Sequence, residues 1–272
     1  MKRSAFPIIV LGTVLFFLYL PIVVLTGNSF NLSRVGGSWE GFTFKWYTQL
    51  MHEDQIWLSV GNSLLIAITA TVCSCILGTC AAMALHKWNN SKLQTFHYGL
   101  IYTPLVIPEI LMGISLLLSF TAIGMDCGLL TILLAHITFC VSYVTMTVLS
   151  RLQDFDDSLI EAARDLGANA WISFYKVQLP LLLPGIISGG LLAFTLSIDD
   201  FVITFFVAGP GSSTLPLMVY SMIKHSPKLP IINSLSTLML LFTFLLVMAS
   251  RAIQNFKQPK ALTRKQQKGT QV

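Results

Sequence analysis

Three carboxylates, Glu109, Asp199 and Asp200, lie inside apolar stretches of this sequence. Placing an ionised side chain in hydrocarbon costs roughly 2.5–3.5 kcal/mol on insertion scales, so such groups need a reason to be there. No Lys or Arg falls at matching depth, and no internal cationic partner is visible. His136 is the other titratable side chain nearby, and a lone His in an apolar span is more often a hydrogen-bonded helix contact than a ligand. Unpaired carboxylates lining one path would attract a cation, because a low local dielectric strengthens Coulomb attraction. A bound polycation would then supply the missing counter-charge. The alternative is that Asp199 and Asp200 only cap or break their helix near the outer interface. Neighbours on a helix point about 100° apart, so at most one of the two is expected to face a path squarely. Pro104 and Pro108 precede Glu109 and loosen the helix there, which could turn freed carbonyls toward a water-filled cavity. Trp46 and Tyr47 could add cation–π contacts to ammonium groups; the competing role is a plain interfacial anchor.

Other chemistry finds less support. A membrane aspartyl protease resembles its kin in a G-x-G-D element, whereas Leu196-Ser197-Ile198 precedes Asp199 here. Adjacent aspartates on one helix also cannot share a proton face to face. The phosphate-binding pattern G-x-x-x-x-G-K-S/T is missing, so ATP would have to be handled by a separate chain. No metal-ligand spacing links the five cysteines at 73, 75, 80, 127 and 140, which read as small buried hydrophobes outside any disulfide framework.

The elements that would position these residues are membrane spans. The 272 residues are 54% apolar and 11% charged, with mean hydropathy +0.72. Soluble domains carry about 25% charged residues. Six apolar spans are expected at about 6–26, 62–85, 98–123, 129–149, 183–207 and 231–253. The first follows Lys2 and Arg3 and lacks an A-x-A cleavage site, so it reads as an uncleaved span containing Pro21. Trp39, Trp46, Tyr47 and Trp57 suit an outer aromatic belt. Segments assigned to the inside hold 13 of the 17 Lys and Arg residues, which places both termini in the cytoplasm. The net charge of +5 follows that topology, and no basic face for nucleic acid forms. The expected organisation is an all-α membrane protein: a first helix and outer loop (1–60), a five-helix core (61–254) containing a coupling loop (150–182), and a basic cytoplasmic tail (255–272).

The long polar interruption is Glu161-Ala162-Ala163-Arg164-Asp165-Leu166-Gly167, closed by Val177-Gln178-Leu179-Pro180. Ser158 and Glu161 have capping-box spacing. Gly167 suits a left-handed helix end, Asn169 can cap a second helix, and Pro180 is expected to bar that helix from continuing. The product is a cytoplasmic helix-turn-helix knuckle, which could dock into a groove of a soluble partner or serve as a plain connecting loop.

This stretch resembles the EAA signature of permease subunits of bacterial ABC importers: E-A-A, three residues, G, nine residues, I, one residue, L-P. Glu161, Ala162, Ala163, Gly167, Leu179 and Pro180 fall at that spacing, with Val177 in place of Ile. The resemblance implies the type I importer permease fold and makes the loop the socket for an ATP-hydrolysing subunit. Ser29-Phe30-Asn31, Lys45-Trp46-Tyr47, His136 to Cys140, Phe194 to Asp200 and Leu215-Pro216 look like the second permease of spermidine/putrescine importers. In that family two different permeases pair, two copies of an ATPase sit beneath them, and a periplasmic binding protein delivers the polyamine. The resemblance therefore implies a bacterial inner-membrane transport subunit without enzymatic activity or bound cofactor, with ATP and Mg held by the partner ATPase. A permease for another small solute and a cation-coupled carrier working alone remain as alternatives; the latter leaves the EAA spacing unexplained.

Overall fold

The computed structural model describes residues 6–34, 38–88, 92–153, 155–156, 158–225 and 229–257. The expected tail beyond Lys257, and Lys2 and Arg3, lie outside them. Helices make up nearly all of the described secondary structure. In chain order they are α1 (Phe6–Asn28), α2 (Lys45–Met51), α3 (Asp54–Lys87), α4 (Lys92–Val106), α5 (Glu109–Ala122), α6 (Leu129–Gln153), α7 (Ser158–Asp165), α8 (Ala170–Ser173), α9 (Leu179–Asp199), α10 (Val202–Val207), α11 (Leu215–His225) and α12 (Leu229–Lys257). The chain forms two compact units, Asp54–Tyr220 and Met1–Glu53 with Ser221–Val272.

In the Asp54–Tyr220 unit, α3, α6 and α9 pack on one another as the core. Lipid tails are as apolar as leucine, so close van der Waals approach has to hold such helices together, and small residues permit it. A Cβ added at Gly78 would meet the Val144 side chain at 2.8 Å, and one at Gly189 would meet the Val144 Cα at 3.2 Å. One at Gly190 would meet the Cys75 sulfur at 2.8 Å. These three glycines draw α3 and α9 onto the same stretch of α6 and onto each other. Ile132, Ala135, Cys140, Val144, Val148 and Leu152 fill the seam from the α6 side. Near the start of α3, Asn62 donates to the Ser213 carbonyl and the Ser63 hydroxyl accepts the Leu215 amide, pinning the loop between α10 and α11.

The third expected span is broken. Between α4 and α5 the axis bends by 112°. α4 ends at Val106, just before the Ile107-Pro108 step that disfavours helix, and the Pro108 backbone (φ −56°, ψ 134°) is extended. Glu109 therefore starts a new helix instead of sitting in the middle of one. The fifth span also differs. Pro180 does not stop the helix: α8, a π turn (Phe174–Gln178) and α9 run on as one apolar helix from Ala170 to Asp199. The Leu179 amide reaches back five residues to the Phe174 carbonyl, so the wider turn accommodates a proline that has no N–H to give. That helix ends at Asp199, and Asp200 is extended (ψ 124°), so 200–207 does not continue it. Four described helices are long and apolar enough to cross a membrane, five if the bent pair counts as one span.

In the other unit α12 packs along α1 and α2. α1 has no buried residue and exposes Phe, Leu, Ile and Val on every side. Between α1 and α2, Asn31 and Phe42 form an isolated antiparallel bridge, and the Asn31 side chain accepts from the Ser33 and Glu40 amides.

Candidate functional site

Glu109, Asp199 and Asp200 come from the start of α5, the end of α9 and the break before α10, and they line one cavity of about 250 Å³. Pro104, Met112, Phe139, Tyr143 and Thr195 complete most of its wall. The same breaks that end the helices open this space: Pro108 lets α5 turn away, and the extended Asp200 lets α10 turn after α9.

The three carboxylates are not equivalent. Asp200 is held on every side. Its Oδ1 accepts the Ile203 amide (3.3 Å), and its Oδ2 accepts the Thr204 amide (2.8 Å) and hydroxyl (2.7 Å), which covers the free N–H groups at the start of α10. His136 Nε2 lies 3.3 Å from the same Oδ2, with side-chain exposures of 1% and 6% for His and Asp. The capping alternative therefore describes Asp200. The expectation that no internal partner exists is corrected at this residue, because His136 on α6 reaches it. Asp199 and Glu109 are exposed into the cavity and make no hydrogen bond or ion pair to another described residue.

His136 is itself saturated: Nδ1 lies 2.7 Å from the Ser197 hydroxyl and Nε2 lies 3.0 Å from the Thr204 hydroxyl. Since Thr204 spends its proton on Asp200, its oxygen must accept from His136, which places a proton on Nε2. Sequence reasoning had His136 as a hydrogen-bonded contact and missed its partners. The only available signal was that three polar residues, Ser197, Asp200 and Thr204, recur within one apolar segment.

Trp46 and Tyr47 do not line this cavity. Trp46 is buried, its indole N–H donates to the Asn31 carbonyl (2.7 Å), and the Lys45 ammonium lies 5.6 Å from its ring centroid. The Tyr47 hydroxyl pairs with Ser29 (2.7 Å), and its ring packs among Phe30 and Phe44.

The polar interruption forms two short helices. Ser158 is already the first residue of α7, and the Asp156 carboxylate accepts its amide, so the expected capping box is replaced by an aspartate two residues upstream. Hydrogen bonding from the Ser158 side chain first, and then from its amide, holds the Asp156 carboxyl below its ordinary range. Gly167 adopts φ +86°, the Gly167 amide reaches Arg164, and the Ala168 amide reaches Ala163, which together make a Schellman end. The Asn169 side chain accepts the Ile172 amide at the start of α8. Glu161, Ala162 and Pro180 are exposed, while Ala163 and Leu179 are half-buried. The sequence reading did not single out the apolar residues displayed here: Leu166 is 89% exposed, Trp171 80% and Tyr175 70%. Their signal was large apolar side chains in an otherwise polar loop.

Comparison with known proteins agrees with this architecture. Residues 74–262 match the family described as the binding-protein-dependent transport system inner membrane component. The chain is 40% identical to the spermidine/putrescine transport system permease protein PotC of Escherichia coli K12, over 89% of this chain and 90% of that one. It is 43% identical to the putrescine transport system permease protein PotI of the same strain, over 88% and 86%. Among solved structures, a chain of a bacterial ABC transporter involved in import of the acidic polysaccharide alginate superposes with TM-score 0.73 at 17% identity, covering 95% of this chain and 99% of that chain. A chain of the MetNI methionine ABC transporter gives 0.62 at 18% identity, covering 76% and 99%. At such identities the structures speak for the fold, and the family match together with the two permeases speaks for descent. The chain belongs to the binding-protein-dependent transport system inner membrane component family, as a membrane permease with the fold of ABC importer subunits.

Proposed function

We propose that this chain is one of two permease subunits of an ATP-driven importer of polyamines such as putrescine and spermidine. The observation that carries the reading is the shared cavity, in which Glu109 and Asp199 face the same space and no Lys or Arg stands among the described lining residues. A carboxylate in a low-dielectric wall is costly unless a counter-charge arrives, and a passing ammonium is that counter-charge. The relatives named for spermidine and putrescine transport support the same substrate class. In this reading Glu109 and Asp199 contact the substrate, Asp200 shapes the wall, and Trp46 and Tyr47 act by ordering the segment between α1 and α2.

The knuckle docks a separate ATPase. Glu161, Ala162, Ala163 and Gly167 form its helical lever, and Leu166, Trp171 and Tyr175 offer apolar contacts to a groove. Leu179 and Pro180 join the lever to α9, and the continuous helix to Asp199 connects socket to cavity. Closure of an ATPase dimer would swing the paired knuckles and open the path outward to a periplasmic binding protein, and hydrolysis would reset it. The chain itself hydrolyses nothing, and both termini lie in the cytoplasm.

Proteoliposomes containing this chain, a second homologous permease and two copies of the ATP-binding subunit test the reading, with radiolabelled putrescine or spermidine outside together with the binding protein. Uptake that requires ATP and the binding protein is expected. Absent polyamine uptake, with ATPase activity responding to a different binding protein, would leave the importer and remove the polyamine.

A further inference from the structure

We infer that His136 is a positioning residue for the cation path: it fixes the break between α9 and α10, and so fixes where Asp199 presents its carboxylate. This rests on the polyamine reading of the cavity. The proposed contact group is Asp199, but nothing hydrogen-bonds it. Its neighbours are what is held. His136 on α6 reaches Ser197 two residues before it, through Nδ1, and Asp200 and Thr204 after it, through Nε2. One buried imidazole therefore bridges the last turn of α9, the extended residue and the first turn of α10. Phe139, one turn along α6, packs against the His136 ring (centroids 5.3 Å apart) and also lines the cavity. Position 199 is clamped from both sides while its own side chain stays free.

Both oxygens of Asp200 accept hydrogen bonds from the framework, so the cavity-wall carboxylates without such a partner among the described residues are Glu109 and Asp199. Asp199 depends on His136. Glu109 starts α5, which packs on α10, and makes no hydrogen bond in this network, so it is the comparison site.

The test is a double-mutant cycle on the assembled transporter in proteoliposomes, read as KM for putrescine uptake. His136→Phe keeps the ring and removes both hydrogen bonds. It is expected to raise KM about tenfold when Asp199 is present and to add less than about twofold on top of Asp199→Asn. His136→Gln, whose amide can still donate toward Thr204 and Asp200, is expected to recover part of the loss. Equal increments with and without Asp199 would show that His136 serves packing alone and would overturn the proposal. If Asp199→Asn by itself left uptake unchanged, the cation reading of the cavity would fail, and the proposal with it. A second readout needs no transport: labelling of Asp199→Cys and Glu109→Cys by a cationic thiol reagent, corrected for the native cysteines. With His136→Gln, the rate at 199 should change by about threefold or more and the rate at 109 should not. No change at 199, or parallel changes at both, overturns it.

Discussion

At the residue scale, two aspartates that are neighbours in the chain do different work. Asp199 closes α9 and faces the cavity, whereas Asp200 gives both oxygens to α10 and to His136. Their substitutions should therefore separate. Asp199→Asn should lower polyamine uptake at least several-fold and leave the melting temperature of the purified transporter unchanged. Asp200→Ala should lower that temperature, because it removes a helix cap worth about 1 kcal/mol and strands buried donors that cost roughly 1–3 kcal/mol to leave unpaired. Uptake assays alongside thermal unfolding of the two variants check this, and equal behaviour of the two would contradict the division.

At the scale of elements, helix breaks and close approaches do the positioning. Gly189 lets α9 touch α6, and a larger side chain there would run into the Val144 Cα and the Thr147 Cβ at 3.2 and 3.3 Å. Gly189→Leu should force the helices apart and cost about 1–3 kcal/mol, visible as reduced yield of folded protein. Gly167 acts differently. Nothing crowds it, but its φ of +86° favours a residue without Cβ. Gly167→Val should cost roughly 1–2 kcal/mol locally and loosen the α7 end. Substrate-stimulated ATPase activity should fall while membrane insertion continues, and limited proteolysis of the knuckle should speed up.

Much of this level was legible in sequence. The Gly167 end and the Asn169 cap follow from local chemistry within a few residues, and the structure has them where the spacing puts them. α7 starts at Ser158, where the spacing puts it, but its first amide is taken by Asp156 and not by Glu161. Pro180 misled for a physical reason. The wider π turn before it relieves the missing N–H, and Pro184 one turn later is likewise carried inside α9. Pro108 does more than loosen a span: it divides that span into two helices at 112°.

At the scale of the whole molecule, one helix joins the exposed knuckle to the cavity: it begins at Ala170 beside Trp171 and ends at Asp199. In the proposed coupling role this helix is the route by which force on the knuckle would reach Asp199. Glu161→Lys should uncouple the two. The complex is expected to insert and hydrolyse ATP while binding-protein-dependent uptake drops about tenfold or more, since a reversed charge on a docking face costs several kcal/mol. Uptake at the level of the unsubstituted protein would remove the knuckle from the coupling path.

The sequence by itself determined that the chain is a membrane protein, where most apolar segments run, that a capped polar knuckle interrupts them, and that three carboxylates stand within apolar segments. These follow from composition, periodicity and short-range capping, all of which act within a turn or two of helix. Only the tertiary structure decided which carboxylates are free. The partner of Asp200 sits on α6, and the same histidine reaches Ser197 across a sequence separation of 61 residues, a distance over which local propensity carries no information. The contact exists because Gly78, Gly189 and Gly190 let three helices close on one another, and that closeness is a property of the packed core.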